Sequence, residues 1–191
     1  MLRYAQLVVA CTVLGAGVAL LLEAALGSDG YSTLVNGLAI ATGQPFWVFN
    51  IAVGAGFIAM AWLRGTRPGP GTVVQWFLVG FVISGVTVLV PPVDSMPGRV
   101  GVLLVAFTLI AFGVAGYLAS NTGAGPAEAA ALAWDPPVPF RWSYSLVQGG
   151  GALVGWLLGA AIGPGTLMII ALLGPAVDLL RRGLPVLERV R

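Results

Sequence analysis

The chain has 191 residues, of which 58% are hydrophobic and only 8% charged, with a formal net charge of +2. A soluble domain carries roughly 25% charged residues, so this composition excludes a water-facing globule and predicts an integral membrane protein; the mean hydropathy of +0.97 agrees. All nine cations are arginines and there is no histidine. The positive balance therefore does not indicate nucleic acid, and no Ser/His/Asp, Cys/His or zinc-type arrangement can be assembled. One cysteine, Cys11, lies inside an apolar run, so neither a disulfide framework nor a metal site is expected. The chain reads as non-enzymatic and without a cofactor.

The first apolar run covers 4–26. Arg3 followed by Tyr4–Leu22 imitates a signal peptide, but the stretch is longer than a usual h-region, so it is expected to be retained as a span. Further runs able to cross a bilayer of about 30 Å fall at 46–63, 72–90, 99–120, 142–159 and 166–180. The last is short for a crossing unless it extends toward Arg182. Two weaker segments, Asp29 to Gly43 and Gly125 to Arg141, hold apolar patches of the length expected of re-entrant or interfacial pieces. The Gly-Pro-Gly-Thr blocks at 69–72 and 163–166 precede the third and sixth spans, with Thr72 and Thr166 expected as N-caps. Neither block has the lysine of a phosphate-binding P-loop.

These elements repeat. Phe46–Ser84 set against Phe140–Asp178 gives 12 identities in 39 positions, among them Phe46/Phe140, Trp62/Trp156, the Gly-Pro-Gly-Thr block and Gly80/Gly174. With a two-residue shift, "GVALLLEAALGSDG" at 17–30 matches "GVAGYLASNTGAGP" at 113–126. The chain is expected to be one integral membrane domain of two repeats, about 4–90 and 99–183, with 184–191 as a cytoplasmic tail. Three spans per repeat is odd, so the repeats should be inverted. With the N-terminus inside, Arg3, Arg64, Arg67, Arg141, Arg181, Arg182, Arg189 and Arg191 all fall inside and only Arg99 outside, as the positive-inside rule favours. The fold class predicted is an all-α membrane protein of six spans in two inverted three-helix repeats, each with a short broken segment.

Paired Gly/Pro breaks in inverted repeats point to a central site, and irregular backbone at membrane depth needs protein or a water-filled cavity around it. The candidate solute-binding residues are Glu23, Asp29, Asn36, Asn50, Asn121 and Gln148. Asp29 also has the position of an N-cap, and Glu128 follows Pro126 where an acid complements a helix start. Glu23 lies near the outer end of the first span, where headgroup solvation competes with function. Asp178 is spaced for an ion pair with Arg181 or Arg182. Asn50 and Tyr144 occupy equivalent repeat positions. Gln148 is the most deeply placed polar residue, and interhelical bonding is the plain alternative for it.

With "LGSDGYSTLVNGLA", "PGPGTVVQWFLVG", "GAGPAEAAALA" and "GPGTLMIIALLGP" assembled, the chain resembles the YczE/YyaS/YitT family of bacterial membrane proteins from about Gly15 to Leu180. The resemblance implies a multi-pass protein of the bacterial plasma membrane and supplies no catalytic residue. Function is expected to be transport or binding of a small organic solute between the two broken segments. The alternative is an accessory or scaffold protein, or a substrate-capture subunit of a larger uptake complex. Expected partners are the lipid bilayer, such a solute, and a second copy or another membrane protein.

Overall fold

The computed structural model describes residues 2–183, which are helical without a strand. The expected tail 184–191, with Arg189 and Arg191, lies outside the described residues. In chain order the helices are α1 (Leu2–Ala24), α2 (Gly30–Thr42), α3 (Phe46–Leu63), α4 (Pro70–Leu89), α5 (Met96–Ala119), α6 (Pro126–Leu132) and α7 (Phe140–Leu157). One last helical run, Pro164–Gly183, consists of α8 (Pro164–Met168), a π-helical turn (Ile169–Leu173) and α9 (Gly174–Gly183).

Five of these are long and apolar enough to cross a membrane: α1, α3, α4, α5 and Pro164–Gly183. The chain is a multi-pass membrane protein. The last run begins at Pro164 and continues past Arg182 to Gly183, so it has 20 residues and not the short reach expected from 166–180. Asp178 within it pairs with Arg182 at 3.0 Å, the four-residue choice. α7 has the length, 18 residues, but carries Arg141, Ser143, Tyr144, Ser145 and Gln148. Its buried stripe, Phe140, Ser143, Tyr144, Gln148, Gly151 and Gly155, recurs every three or four residues, while Leu146, Leu153 and Leu157 are exposed. Polar inside and apolar outside is the reverse of a soluble helix.

The described chain packs as two compact units that interleave in sequence. The first comprises 2–26, 68–125 and 175–183, the second 27–67 and 126–174. Each unit thus draws on both halves of the sequence. The chain passes between them at Leu26–Gly27, Arg67–Pro68, Gly125–Pro126 and Gly174–Pro175, every one a glycine or a proline junction.

In the first unit α1 packs on α5 and α4 through small residues. A methyl on Gly17 would lie 2.8 Å from the Ile110 amide nitrogen, and one on Gly113 would lie 2.7 Å from the Leu14 Cα. The two contacts are reciprocal, since Gly113 and Ile110 stand 96 positions after Gly17 and Leu14. Further along, Gln6 Nε2 donates to the Gly116 carbonyl at 2.9 Å, so α1 and α5 run antiparallel. Glycine allows such close approach where no side chain would fit.

The break after α5 is built against the start of α4. Asn121 adopts φ +53° and Gly123 φ +129°. The Gly71 amide donates to the Thr122 carbonyl at 2.8 Å, and Gly69 N–H donates to Thr72 Oγ1 at 3.2 Å. A Cβ on Gly123 would meet Thr72 Oγ1 at 2.7 Å. Within the second unit the same joint recurs between Gly27 (φ +106°) and the start of α8, where Gly163 N–H donates to Thr166 Oγ1 at 3.3 Å. A Cβ on Gly27 would meet Thr166 Oγ1 and, at 2.8 Å, the Gly163 nitrogen. The expectation of threonine N-caps is corrected here. The N-caps are Gly69 and Gly163, proline takes N1, and the threonines sit at N3, reaching back to the cap amide. Proline is preorganised for the first helical position, so the helices start earlier than the threonines suggested.

Candidate functional site

The second unit holds the candidate site, and α2 organises it. The Asp29 carboxylate accepts from the Ser32 amide at 3.1 and 3.3 Å, an N-cap, and Gly43 closes the helix at φ +69°. One face of α2 is nearly bare of side chains. A Cβ on Gly30 would strike the Gln148 carbonyl, and one on Gly37 would lie 2.5 Å from the Gly155 carbonyl oxygen. From the other side, a Cβ on Gly151 would lie 2.6 Å from the Gly30 carbonyl oxygen. The two helices therefore touch backbone to backbone. Since Gly30 faces Gln148, Gly37 faces Gly155, and Ile40 lies at Gly159, α2 runs parallel to the second half of α7. Its first turn lies eight residues along α7, or about 12 Å from that helix's start at 1.5 Å per residue.

α6 runs the opposite way. Its first turn is level with Tyr144, and just past its end the Ala133 carbonyl accepts from Arg64 Nε at 2.7 Å, next to the end of α3. The amino-terminal turns of α2 and α6 thus face each other across the Tyr144–Gln148 turn of α7.

A chain of hydrogen bonds fills that place. The Tyr31 amide donates to Gln148 Oε1 at 3.1 Å, Gln148 Nε2 donates to the Tyr144 hydroxyl at 2.9 Å, and that hydroxyl donates to Glu128 Oε1 at 3.1 Å. The Tyr31 hydroxyl donates toward the Asn50 carbonyl and Oδ1 at 2.9 and 3.0 Å. Glu128, Tyr144 and Gln148 are all buried. Two ring pairs flank them: Tyr31–Phe57 with centroids 5.9 Å apart, and Phe140 stacked on Tyr144 at 5.3 Å. Asp29 as a residue is half-buried, yet its carboxyl is removed from water. That desolvation pushes its pKa above the usual carboxylate range, against the lowering effect of the Ser32 hydrogen bonds. The arrangement gathers carboxylate and amide oxygens, tyrosine hydroxyls and aromatic faces in one place.

Of the six residues singled out from sequence, Asp29, Asn50 and Gln148 come together here. Asn36 is on α2 but exposed, off the face formed by Gly30, Thr33 and Gly37. Asn121 and Glu23 belong to the first unit. Asn121 is exposed, and its left-handed backbone accounts for the residue type, as asparagine tolerates that region better than most. Its counterpart 96 positions earlier, Ala25, has φ +50°. Three members of the network, Tyr31, Tyr144 and Glu128, were not among the six. The i, i+4 spacing of Tyr144 and Gln148, continued back to Phe140, was the available signal for one of them.

The family described as "Family of unknown function (DUF6198)" matches residues 1–182. The chain is similar to an uncharacterized protein of Haemophilus influenzae, 28% identical over 181 residues, which cover 90% of this chain and 80% of the relative. It is also similar to the uncharacterized membrane protein YczE of Bacillus subtilis, 27% identical over 169 residues, covering 85% and 77% respectively. No solved structure matches the chain.

Proposed function

The chain belongs to the DUF6198 family, a YczE-like membrane family, and on that premise we propose that it binds a small organic solute and carries it across the bacterial plasma membrane, without catalysis. The observation that carries this reading is the meeting of two oppositely directed half-helices on one turn of α7, around a buried network of Tyr31, Asn50, Glu128, Tyr144 and Gln148. Buried polar side chains in a membrane protein are costly unless they serve a ligand or each other. Half-helix starts aimed at a shared polar centre are a recurrent transporter device.

Six spans in two inverted repeats form the framework of the proposal, α7 being the sixth. The antiparallel course and reciprocal glycine contacts of α1 and α5 support it, as do the opposite directions of α2 and α6 and the two copies of the glycine joint. Both termini face the cytoplasm in this reading. In a Cys11→Ser background, Asp94→Cys should label from outside and Thr66→Cys should not; reversed labelling would overturn the orientation.

The direct experiment is a thermal-stability screen of purified protein against small solutes, because a bound ligand raises stability by mass action. A stabilising solute whose effect is lost in Gln148→Leu and kept in Asn36→Ala supports the site. If no solute stabilises the protein and a stable membrane partner copurifies, the accessory reading replaces this one.

A further inference from the structure

Tryptophans mark both ends of the second unit, but arginines mark only one. Trp47 begins α3 and Trp156 ends α7, at the end of the unit that carries no arginine. At the other end stand Trp62, Trp134 and Trp142, which are 62%, 43% and 53% exposed. With them are Arg64, Arg67 and Arg141. The acid of this end is Asp135, whose Oδ2 accepts from the Phe140 amide at 3.0 Å and so caps α7. Three cations against one occupied carboxylate leave a positive surface.

Two of the arginines are held in place by tryptophan. The Arg64 guanidinium lies 3.9 Å over the Trp134 ring centroid while its Nε donates to the Ala133 carbonyl. Arg141 lies 5.5 Å over Trp142, and its Nε is buried with no hydrogen-bond partner among the described residues. Stacking a guanidinium on an indole fixes its plane while keeping its charge. The Ala133–Trp134–Asp135 turn, bonded to Arg64 on one side and to Phe140 on the other, connects the two sites.

We infer that this end of the second unit binds the phosphate of an anionic phospholipid, with Arg64 and Arg141 as the clamps and Trp134 and Trp142 seated at the headgroup level. Exposed tryptophans belong at the membrane interface, and arginine forks match phosphate oxygens. Lipid is the occupant of choice because the arginines lie at the ends of α3 and α7, where headgroups meet the hydrocarbon boundary. Anionic surfaces attract basic groups near the bilayer by an amount worth about fivefold in affinity per arginine.

The test compares phosphatidylglycerol with phosphatidylcholine. Native mass spectrometry of the purified protein should show preferential retention of phosphatidylglycerol, by about tenfold or more for two arginines. Arg64→Gln with Arg141→Gln should abolish that preference, Arg64→Lys with Arg141→Lys should keep part of it, and Arg99→Gln should keep all of it. Independently of any variant, titrating phosphatidylglycerol into the wild-type protein in phosphatidylcholine micelles should raise its melting temperature. Equal behaviour of the two lipids in the wild type would overturn the inference, as would an undiminished preference in the double glutamine variant. Stabilisation by millimolar inorganic phosphate equal to that by phosphatidylglycerol would also overturn it, since the site would then bind free anion and not lipid.

Discussion

In the first unit, α1 and α5 approach through Gly17 and Gly113, and what they meet is the backbone of Ile110 and Leu14 together with the aliphatic side chains of Ile110, Leu109 and Leu14. In the second, α2 and α7 approach as closely through Gly30, Gly37, Gly151 and Gly155, but the contacts are carbonyl groups, and Gln148, Tyr144 and Glu128 stand beside them. Glycine gives close approach in both places. In the second it also brings the amide of Tyr31 within reach of a side-chain amide on the neighbouring helix. Close packing alone makes a frame, whereas in the second unit the close packing stands beside polar groups that satisfy one another.

The comparison breaks most sharply at the glycines. Gly30→Leu should prevent accumulation of folded protein, because even its Cβ collides with a backbone carbonyl that cannot rotate away. Gly17→Ala should be milder, costing about 1–3 kcal/mol as an overpacked contact, read from thermal or denaturant unfolding. Gly56→Ala, with open space around it, should be near neutral. If Gly17→Ala proved as damaging as Gly30→Leu, the distinction between the two interfaces would lapse.

At the break itself, replacing Gly123 and Gly125 together by Leu should lower expression or melting temperature sharply. The first has φ +129°, and the second lies against the Gln75 side-chain amide. Gly183→Leu, whose Cβ would meet nothing within 4 Å among the described residues, should not. Equal tolerance would make 123–125 an ordinary surface loop.

Gln148→Leu sharpens the polar side of the comparison. It leaves the Tyr31 amide without its acceptor and removes a donor from Tyr144, so it should cost about 1–3 kcal/mol of stability. A leucine variant as stable as the wild type would show that the network contributes nothing net to folding.

The smallest effect is expected at Asp29. Its folded pKa is raised, so the folded protein holds this proton more tightly than the unfolded chain does. That contribution to stability is fully present below the ordinary value of 3.8 and lost as pH rises through the raised one. Asp29→Asn should flatten this slope while leaving α2 capped, since asparagine caps about as well as aspartate. An unchanged pH profile would assign the slope to another group.

The breaks were legible in the sequence because left-handed backbone leaves a compositional trace: Gly27 and Gly123 stand at the same place in each repeat. The capping of α2 was legible too, since Asp29 directly precedes the helical pattern. Thr72 and Thr166 sit three residues inside the helices and not at the expected cap positions, because Pro70 and Pro164 are first helical residues and start each helix ahead of its threonine. The site was only half legible. Asn36 is polar and close in sequence, but which face of α2 turns inward is decided by the glycines that fit against α7, a pairing more than a hundred residues distant. Glu128 read as a helix-end acid because its partner, Tyr144, arrives from a different helix.

Interleaving of the two units sets the order in which the protein can be made. Ribosomes add about 5–20 residues per second, so α1 enters the bilayer roughly 5–20 seconds before its partner α5 has been synthesised. α2 waits longer still for α7. Until then, the faces bearing Gly17 and Gly30 have nothing to close against except lipid or the insertion machinery. Neither unit can be completed from the first half of the chain alone, so assembly is a late event, governed by the arrival of α5 and α7 and not by the insertion of the helices that precede them.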